Sequence, residues 1–172
     1  RSKVPAVLSI AGSDSSGGAG IQADIKTITA HRLYAETAIT AITAQNTLGV
    51  TAVQNISPDI VAAQIDAVFD DIRPNAVKIG MVSSAEIIDV IADRLSAWNA
   101  TNVVVDPVMV ATSGARLIAE DAAEALTRRL PRHEGALAGA EAQGPCAVRL
   151  ARYLESGVGF PVYPASRVEY FP

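Results

Sequence analysis

The chain has 172 residues, of which 49% are apolar and 19% charged, and fourteen Lys and Arg against eighteen Asp and Glu give a formal net charge of −4. That length suits about one domain core and that composition excludes a disordered chain, while the acidic balance supplies no bulk attraction to nucleic acid or to an anionic membrane. One cysteine, Cys146, with only His31 and His133, excludes a disulfide framework and a multi-cysteine zinc site, and points to a reducing, cytoplasmic compartment.

Arg1, Ser2 and Lys3 before an apolar run imitate a signal peptide, but the run is short and passes into a glycine-rich loop. Residues 7–10 are therefore read as a first strand, and residues 12–20 as a loop with four glycines. Ile21, Ile25 and Ile28 then recur at helical spacing over residues 21–29. Residues 37–43 alternate one by one, which predicts a semi-apolar strand. They open a stretch, 37–58, that carries no charge for twenty-two residues yet is rich in Thr, Gln and Asn, unlike a spanning helix; a buried or ligand-facing region is expected. Ser57 before Pro58 marks a helix start, a capping hydroxyl followed by a residue whose missing N–H costs nothing there. Val61, Ile65, Val68, Phe69 and Ile72 form its stripe. Residues 76–79 read as a short strand ending at Gly80, and Ser84 opens a helix with Ile87, Ile91, Leu95 and Trp98 on its buried side. Val103, Val104 and Val105 have the continuous β-branched pattern of a parallel strand covered on both faces. Alternating strands and helices predict an α/β domain with a parallel sheet.

Composition breaks near Arg128. Residues 1–127 hold eight basic and fourteen acidic side chains, whereas residues 128–172 hold six and four. All fifteen Ile precede the break, and five of the nine Pro and six of the eleven Arg follow it. The division expected is a first portion, 1–130, and a divergent segment, 131–172.

In open parallel sheets ligands bind beyond the carboxyl ends of the strands. Four unusual segments fall there: residues 12–20, Gln45-Asn46, Gly80-Met81, and Asp106-Pro107-Val108-Met109. The glycine loop is not a Walker A cradle, because Gly18 stands where its Lys would be. It also lacks the ribose carboxylate of a Rossmann fingerprint. A phosphate-approaching loop and a structural turn both remain open for it.

Residue chemistry narrows the ligand. Gln45 offers an amide donor and an acceptor side by side, matching a ring nitrogen and exocyclic amine of an aminopyrimidine. Gly12 would let backbone approach a ring. Asp24 is either an acceptor for a substrate hydroxyl or amine, or a solvent-facing helix carboxylate. Met81 and Val108 are either apolar walls of the site or core packing. Asp106, where an apolar strand ends, either organises Mg²⁺ or caps a turn.

The run Ala11-Gly12-Ser13-Asp14-Ser15-Ser16-Gly17-Gly18-Ala19-Gly20-Ile21-Gln22-Ala23-Asp24 resembles the opening signature of the hydroxymethylpyrimidine/phosphomethylpyrimidine kinases of thiamine biosynthesis. Thr43-Ala44-Gln45-Asn46-Thr47, Val77-Lys78-Ile79-Gly80-Met81 and Val105-Asp106-Pro107-Val108-Met109 follow in the same order. The resemblance covers residues 6–130. It implies a ribokinase-like three-layer sandwich with a mostly parallel central sheet, incomplete at the C-terminus, and ATP- and Mg²⁺-dependent phosphorylation of a hydroxymethyl group and then of the monophosphate. The implied partner is a small pyrimidine, with no nucleic acid or membrane, and self-association as a homo-oligomer is expected.

Family members are longer, with a later Gly-Thr-Gly-Cys motif whose amides bind the reacting anion. Gln143-Gly144-Pro145-Cys146 is a distant echo, and Pro145 has no N–H to donate. Cys146 is thus either a catalytic thiol or an ordinary one. For residues 131–172 a shifted reading frame, an incomplete record and a short paralogue that binds pyrimidine without phosphorylating it all fit. Pyridoxal kinase, with a similar hydroxymethyl acceptor, is the related alternative.

Overall fold

The computed structural model describes residues 4–82 and 84–105. Nine elements run through them: β1 Ala6–Ala11, α1 Gly20–Ala30, β2 Tyr34–Ile39, β3 Ala41–Asn46, β4 Gly49–Asn55, α2 Pro58–Asp71, β5 Ala76–Ile79, α3 Ala85–Ala97 and β6 Val103–Val105. Four strands form a parallel sheet in the order β2-β1-β5-β6, and β3 pairs with β4 as a separate antiparallel hairpin.

Strand alternation divides the core into two layers. Leu8, Ile10, Val77 and Ile79 point to the face covered by α2 and α3, where Val61, Ile65, Phe69, Ile87, Ile88, Ile91 and Leu95 complete one cluster. Val7 and Ala76 point the other way, against Ile28 of α1 and Leu33. Helices on both faces of a parallel sheet are the α/β arrangement predicted. Each fully buried aliphatic side chain in these layers contributes about 1.5–3 kcal/mol.

The helix starts use different devices. Ser84 accepts the Ile87 N–H at 3.3 Å. Ser57 occupies the corresponding position of α2 but its hydroxyl makes no such bond, so the start rests on Pro58 and on Asp59 in the first turn. At the far end of α3, Trp98 donates through Nε1 to Asp66 at 2.7 Å, and its ring stacks on Phe69 with centroids 5.7 Å apart, tying α3 to α2.

Four expectations are corrected. The strand foreseen over residues 37–43 is two strands in different sheets, because the buried parity changes at Thr40: Glu36, Ala38 and Thr40 are buried, then Ala41 and Thr43. The uncharged stretch 37–58, expected to be buried or ligand-facing, is buried only in its first part, so the burial half of that expectation is corrected for the rest. Its remainder is a protruding hairpin with Ile42, Leu48, Val50 and Val53 exposed, and β4 lacked any alternation to announce it. In α1 the inward stripe is Ile21, Asp24 and Ile28, with Ile25 exposed. Ile72 leaves the α2 stripe and is also exposed.

Glu36 is the anomaly of the fold. It pairs in register with Leu8, on the face packed by α2, and is 7% exposed. Its Oε2 has no hydrogen-bond partner among the described residues. Burial, and then the like charge of Asp71, push its carboxyl up to about 7. A folded-state value above the unfolded one means that the folded chain holds the proton, so this stability is fully present below about pH 4.5 and is lost as pH rises through about 7. The neutral isostere Glu36→Gln should therefore be more stable than the parent at about pH 8. After screening at this edge position the gain should be about 1–2 kcal/mol, shrinking toward zero in acid. Urea unfolding across pH reads it, and a parallel pH dependence in both proteins would count against the assignment.

Candidate functional site

The carboxyl ends of β1 and β5 release residues 12–19 and 80–82 at one edge of the sheet, the side on which parallel sheets gather ligands. Thr40 pins this corner. Its N–H donates to the Ala11 carbonyl at 3.0 Å, its Oγ1 to the Met81 carbonyl at 3.1 Å, and its own carbonyl accepts Ile56 N–H at 2.9 Å. One buried threonine thus ties the ends of β1 and β5 to both ends of the hairpin.

The glycine loop is then stitched along β3. Ser13 N–H donates to the Ala41 carbonyl at 2.8 Å. Thr43 N–H donates to Ser13 Oγ at 3.2 Å, and Thr43 Oγ1 to the Ser13 carbonyl at 2.7 Å. Two residues on, Ser15 Oγ donates to the Gln45 carbonyl at 2.6 Å and accepts Gln45 N–H at 2.7 Å. The Gln45 backbone is held from both sides. Its side chain is half-buried, with Oε1 accepting from Thr43 Oγ1 at 3.3 Å.

Between the two serines, Asp14 points the opposite way. Its Oδ1 accepts Ser16 N–H at 2.8 Å and Ser16 Oγ at 2.7 Å, and its Oδ2 accepts Gly18 N–H at 3.0 Å and Ala19 N–H at 2.7 Å. Burial pushes this carboxyl up, but the Ser16 hydroxyl and the amides of Ser16, Ala19 and Gly18 outweigh it and hold it below the usual carboxylate range. Ala19, at the N-cap of α1, has no side-chain cap; in the first turn the Ile21 N–H is taken by the Gly12 carbonyl at 3.0 Å. The amides of Ser16, Gly18 and Ala19 thus already hold a carboxylate, as in a structural turn.

Gly12 is needed for a neighbour. A Cβ there would stand 2.7 Å from Met81 Cε, with Ala41 next, so the space above Gly12 is filled by the methionine tip. Met81 is half-buried. Gly12 and Met81 thus meet at the carboxyl ends of β1 and β5, and Ser15 ties the same loop to Gln45 further along β3.

Asp24 lies behind them, in the layer between sheet and α1, and the solvent-facing alternative is excluded. It is buried, and its Oδ2 takes both Ser9 Oγ at 2.5 Å and Lys78 Nζ at 2.8 Å. Lys78 arches over Gly80, where a Cβ would lie 2.9 Å from Nζ. This Ser9-Asp24-Lys78 group escaped the sequence reading, although a lysine inside the apolar strand Ala76–Ile79 demanded a buried acid. Asp14, Ser13 and Ser15 were missed as well, since nothing local in a Ser/Gly run says which hydroxyl faces which strand. Asp106, Val108 and Cys146 lie outside the described residues.

Among the described residues no group of three or more His, Cys, Asp and Glu could hold a metal, and no helix is long and apolar enough to cross a membrane.

The family model described as phosphomethylpyrimidine kinase matches residues 14–135, more than two thirds of the chain. A hydroxymethylpyrimidine/phosphomethylpyrimidine kinase of Rhizobium meliloti is 61% identical over 123 residues, covering 72% of this chain and 46% of that protein. A solved phosphomethylpyrimidine kinase from Clostridium difficile superposes with a TM-score of 0.69 at 54% identity, covering 74% of this chain and 55% of that one. A pyridoxal kinase of Bacillus subtilis, solved as an ADP complex, gives 0.65 at 38% identity over 74% of this chain and 48% of that one. The chain spans about half the length of the curated relatives it matches.

Proposed function

The chain belongs to the phosphomethylpyrimidine kinase family and shares its ribokinase-like fold, and from that premise we propose that it forms the pyrimidine-recognition part of an ATP-dependent kinase of thiamine biosynthesis. The substrate in this reading is 4-amino-5-hydroxymethyl-2-methylpyrimidine and then its monophosphate. The observation that carries it is the two-way Ser15 clasp on Gln45, which ties that amide to the same glycine loop whose first residue, Gly12, meets Met81. A side-chain amide on a fixed backbone presents donor and acceptor at constant separation, so it reads the amine and adjacent ring nitrogen together. Met81 supplies an adaptable apolar wall. In the same reading Val108 would add a second wall and Asp106 would hold Mg²⁺ through its waters, the ion supplying charge neutralisation for the phosphates when bound.

Asp24 keeps an indirect place. Its Oδ2 is engaged by Lys78 and Ser9, so we propose that it supports the floor of the site and reaches substrate only through its second oxygen.

Calorimetric titration with the aminopyrimidine tests the reading. Saturable heat is expected, weakened at least about tenfold in Gln45→Ala, because one partner of a two-point hydrogen-bonded contact is removed. Absence of saturable heat in the parent chain would sink it, and ADP release from MgATP separates a transferring chain from one that only binds. The pyridoxal alternative rests on likeness to solved pyridoxal kinases, among them the 38% identity to the Bacillus subtilis enzyme. Pyridoxal lacks the amine beside a ring nitrogen that Gln45 would read, so it is expected to compete weakly, and displacement of the pyrimidine at equal concentration would reverse the assignment.

A further inference from the structure

We propose that Asp14 is a positioning residue: its carboxylate is a built-in anion that fills the amide nest at the start of α1, closes the glycine loop to nucleotide phosphate, and aims the flanking serines at β3 so that Gln45 is held for the pyrimidine. The part concerning Gln45 rests on the pyrimidine reading; the part concerning the nest does not.

A glycine-rich turn just before a helix commonly offers its own backbone N–H groups, as a nest, to a phosphate. Here the Gly18 and Ala19 N–H groups converge on Asp14 Oδ2, and the Ser16 N–H and hydroxyl on Oδ1. Four donors on one carboxylate leave little capacity for a second anion, and like charge would repel it. The loop is also locked in place from outside the nest. Gln22 Oε1 accepts Asp14 N–H at 2.7 Å, Gly17 N–H donates to the Asp14 carbonyl at 3.0 Å, and Lys26 Nζ donates to the Gly17 carbonyl at 2.8 Å.

Direction supplies the link to recognition. With Asp14 turned toward the helix, Ser13 and Ser15 on either side face β3, where they bind Thr43 and Gln45. Loss of the Asp14 carboxylate removes four of the bonds that set this direction, and the two-way Ser15 clasp on the Gln45 backbone loosens with them. Asp14 touches no reacting group in this arrangement; it acts through Ser15.

Chemical rescue separates this role from general support of the fold. Asp14→Ala opens the nest, and formate, a carboxylate without a chain, should occupy it. Expected results are saturable thermal stabilisation of Asp14→Ala by tens of millimolar formate, none in the parent chain, and roughly tenfold weaker aminopyrimidine binding that formate largely restores. Ser15→Ala leaves the nest intact, so it should lose pyrimidine affinity to a similar degree without any formate response. Equal formate responses in parent and Asp14→Ala, or unchanged pyrimidine affinity in both variants, would overturn the proposal. Should Asp14→Ala not fold without anion, refolding that depends on formate reports the same occupancy, and failure to refold with formate counts against it. If the parent binds no aminopyrimidine, the functional reading fails while the formate test of the nest still stands.

Discussion

Lys78→Met is expected to destabilise the chain by about 3–5 kcal/mol, the range for stripping one partner from a buried ion pair. Lys78 and Asp24 side chains are each 9% exposed and their charged atoms lie 2.8 Å apart. Met fills the space of the lysine stem, so the loss reflects the carboxylate left in the interior with Ser9 as its remaining donor rather than a cavity. The partner substitution sharpens the test. Asn in place of Asp24 keeps an acceptor for Ser9 and removes the charge, so Lys78→Met with Asp24→Asn should recover most of the loss. Urea unfolding of the two single variants and the double variant completes a cycle, with a coupling of about 2 kcal/mol or more expected for two groups in direct contact. Additive losses would show that the pair does not act as a unit.

That buried pair also marks where the sequence stopped being legible. The sheet, its parallel sense and the two-sided helical cover followed from apolar runs at Val7, Val77 and Val103 and from the stripes of Val61 and Ile87, because such patterns depend only on local spacing. The corner at Thr40 did not. Its turn out of the parallel sheet is set by bonds to Ala11, Met81 and Ile56, all distant in sequence. Asp24 falls between these cases: helical spacing placed it one position from Ile25, and only the lysine across the layer decided that the carboxylate, not the isoleucine, turned inward. For the candidate site, the residue types at Gly12, Gln45 and Met81 raised the expectation of ligand contact, whereas the serine bonds that hold the Thr43 and Gln45 backbone have no signal in local spacing. A side chain's chemistry is visible in one dimension; its direction is a property of the packed loop.

The strongest backbone consequence of that packing is expected at Gly20. It begins α1 with φ of 56°, a left-handed conformation in which a side chain is strained by about 1 kcal/mol. A Cβ there would overlap the Gly12 carbonyl oxygen, itself the acceptor of Ile21 N–H at 3.0 Å, and would lie 3.3 Å from Asp14 N. Backbone, unlike a flexible side-chain tip, cannot swing aside without breaking the helix start. Gly20→Ala should therefore cost about 2–4 kcal/mol, strain and overpacking together. The loop contains its own controls. Gly17 has φ of 80° but meets only the mobile end of Lys26, so Gly17→Ala should lose about 1 kcal/mol. Gly18 has no positive φ and its nearest neighbour, Asp14 Oδ2, is an ordinary 3.7 Å away, so Gly18→Ala should stay within about 0.5 kcal/mol. Urea midpoints for the three variants should rank Gly20 far below Gly17, with Gly18 near the parent. Equal losses at Gly18 and Gly20 would mean that the loop's glycines serve flexibility in common rather than one tight approach between Gly20 and Gly12.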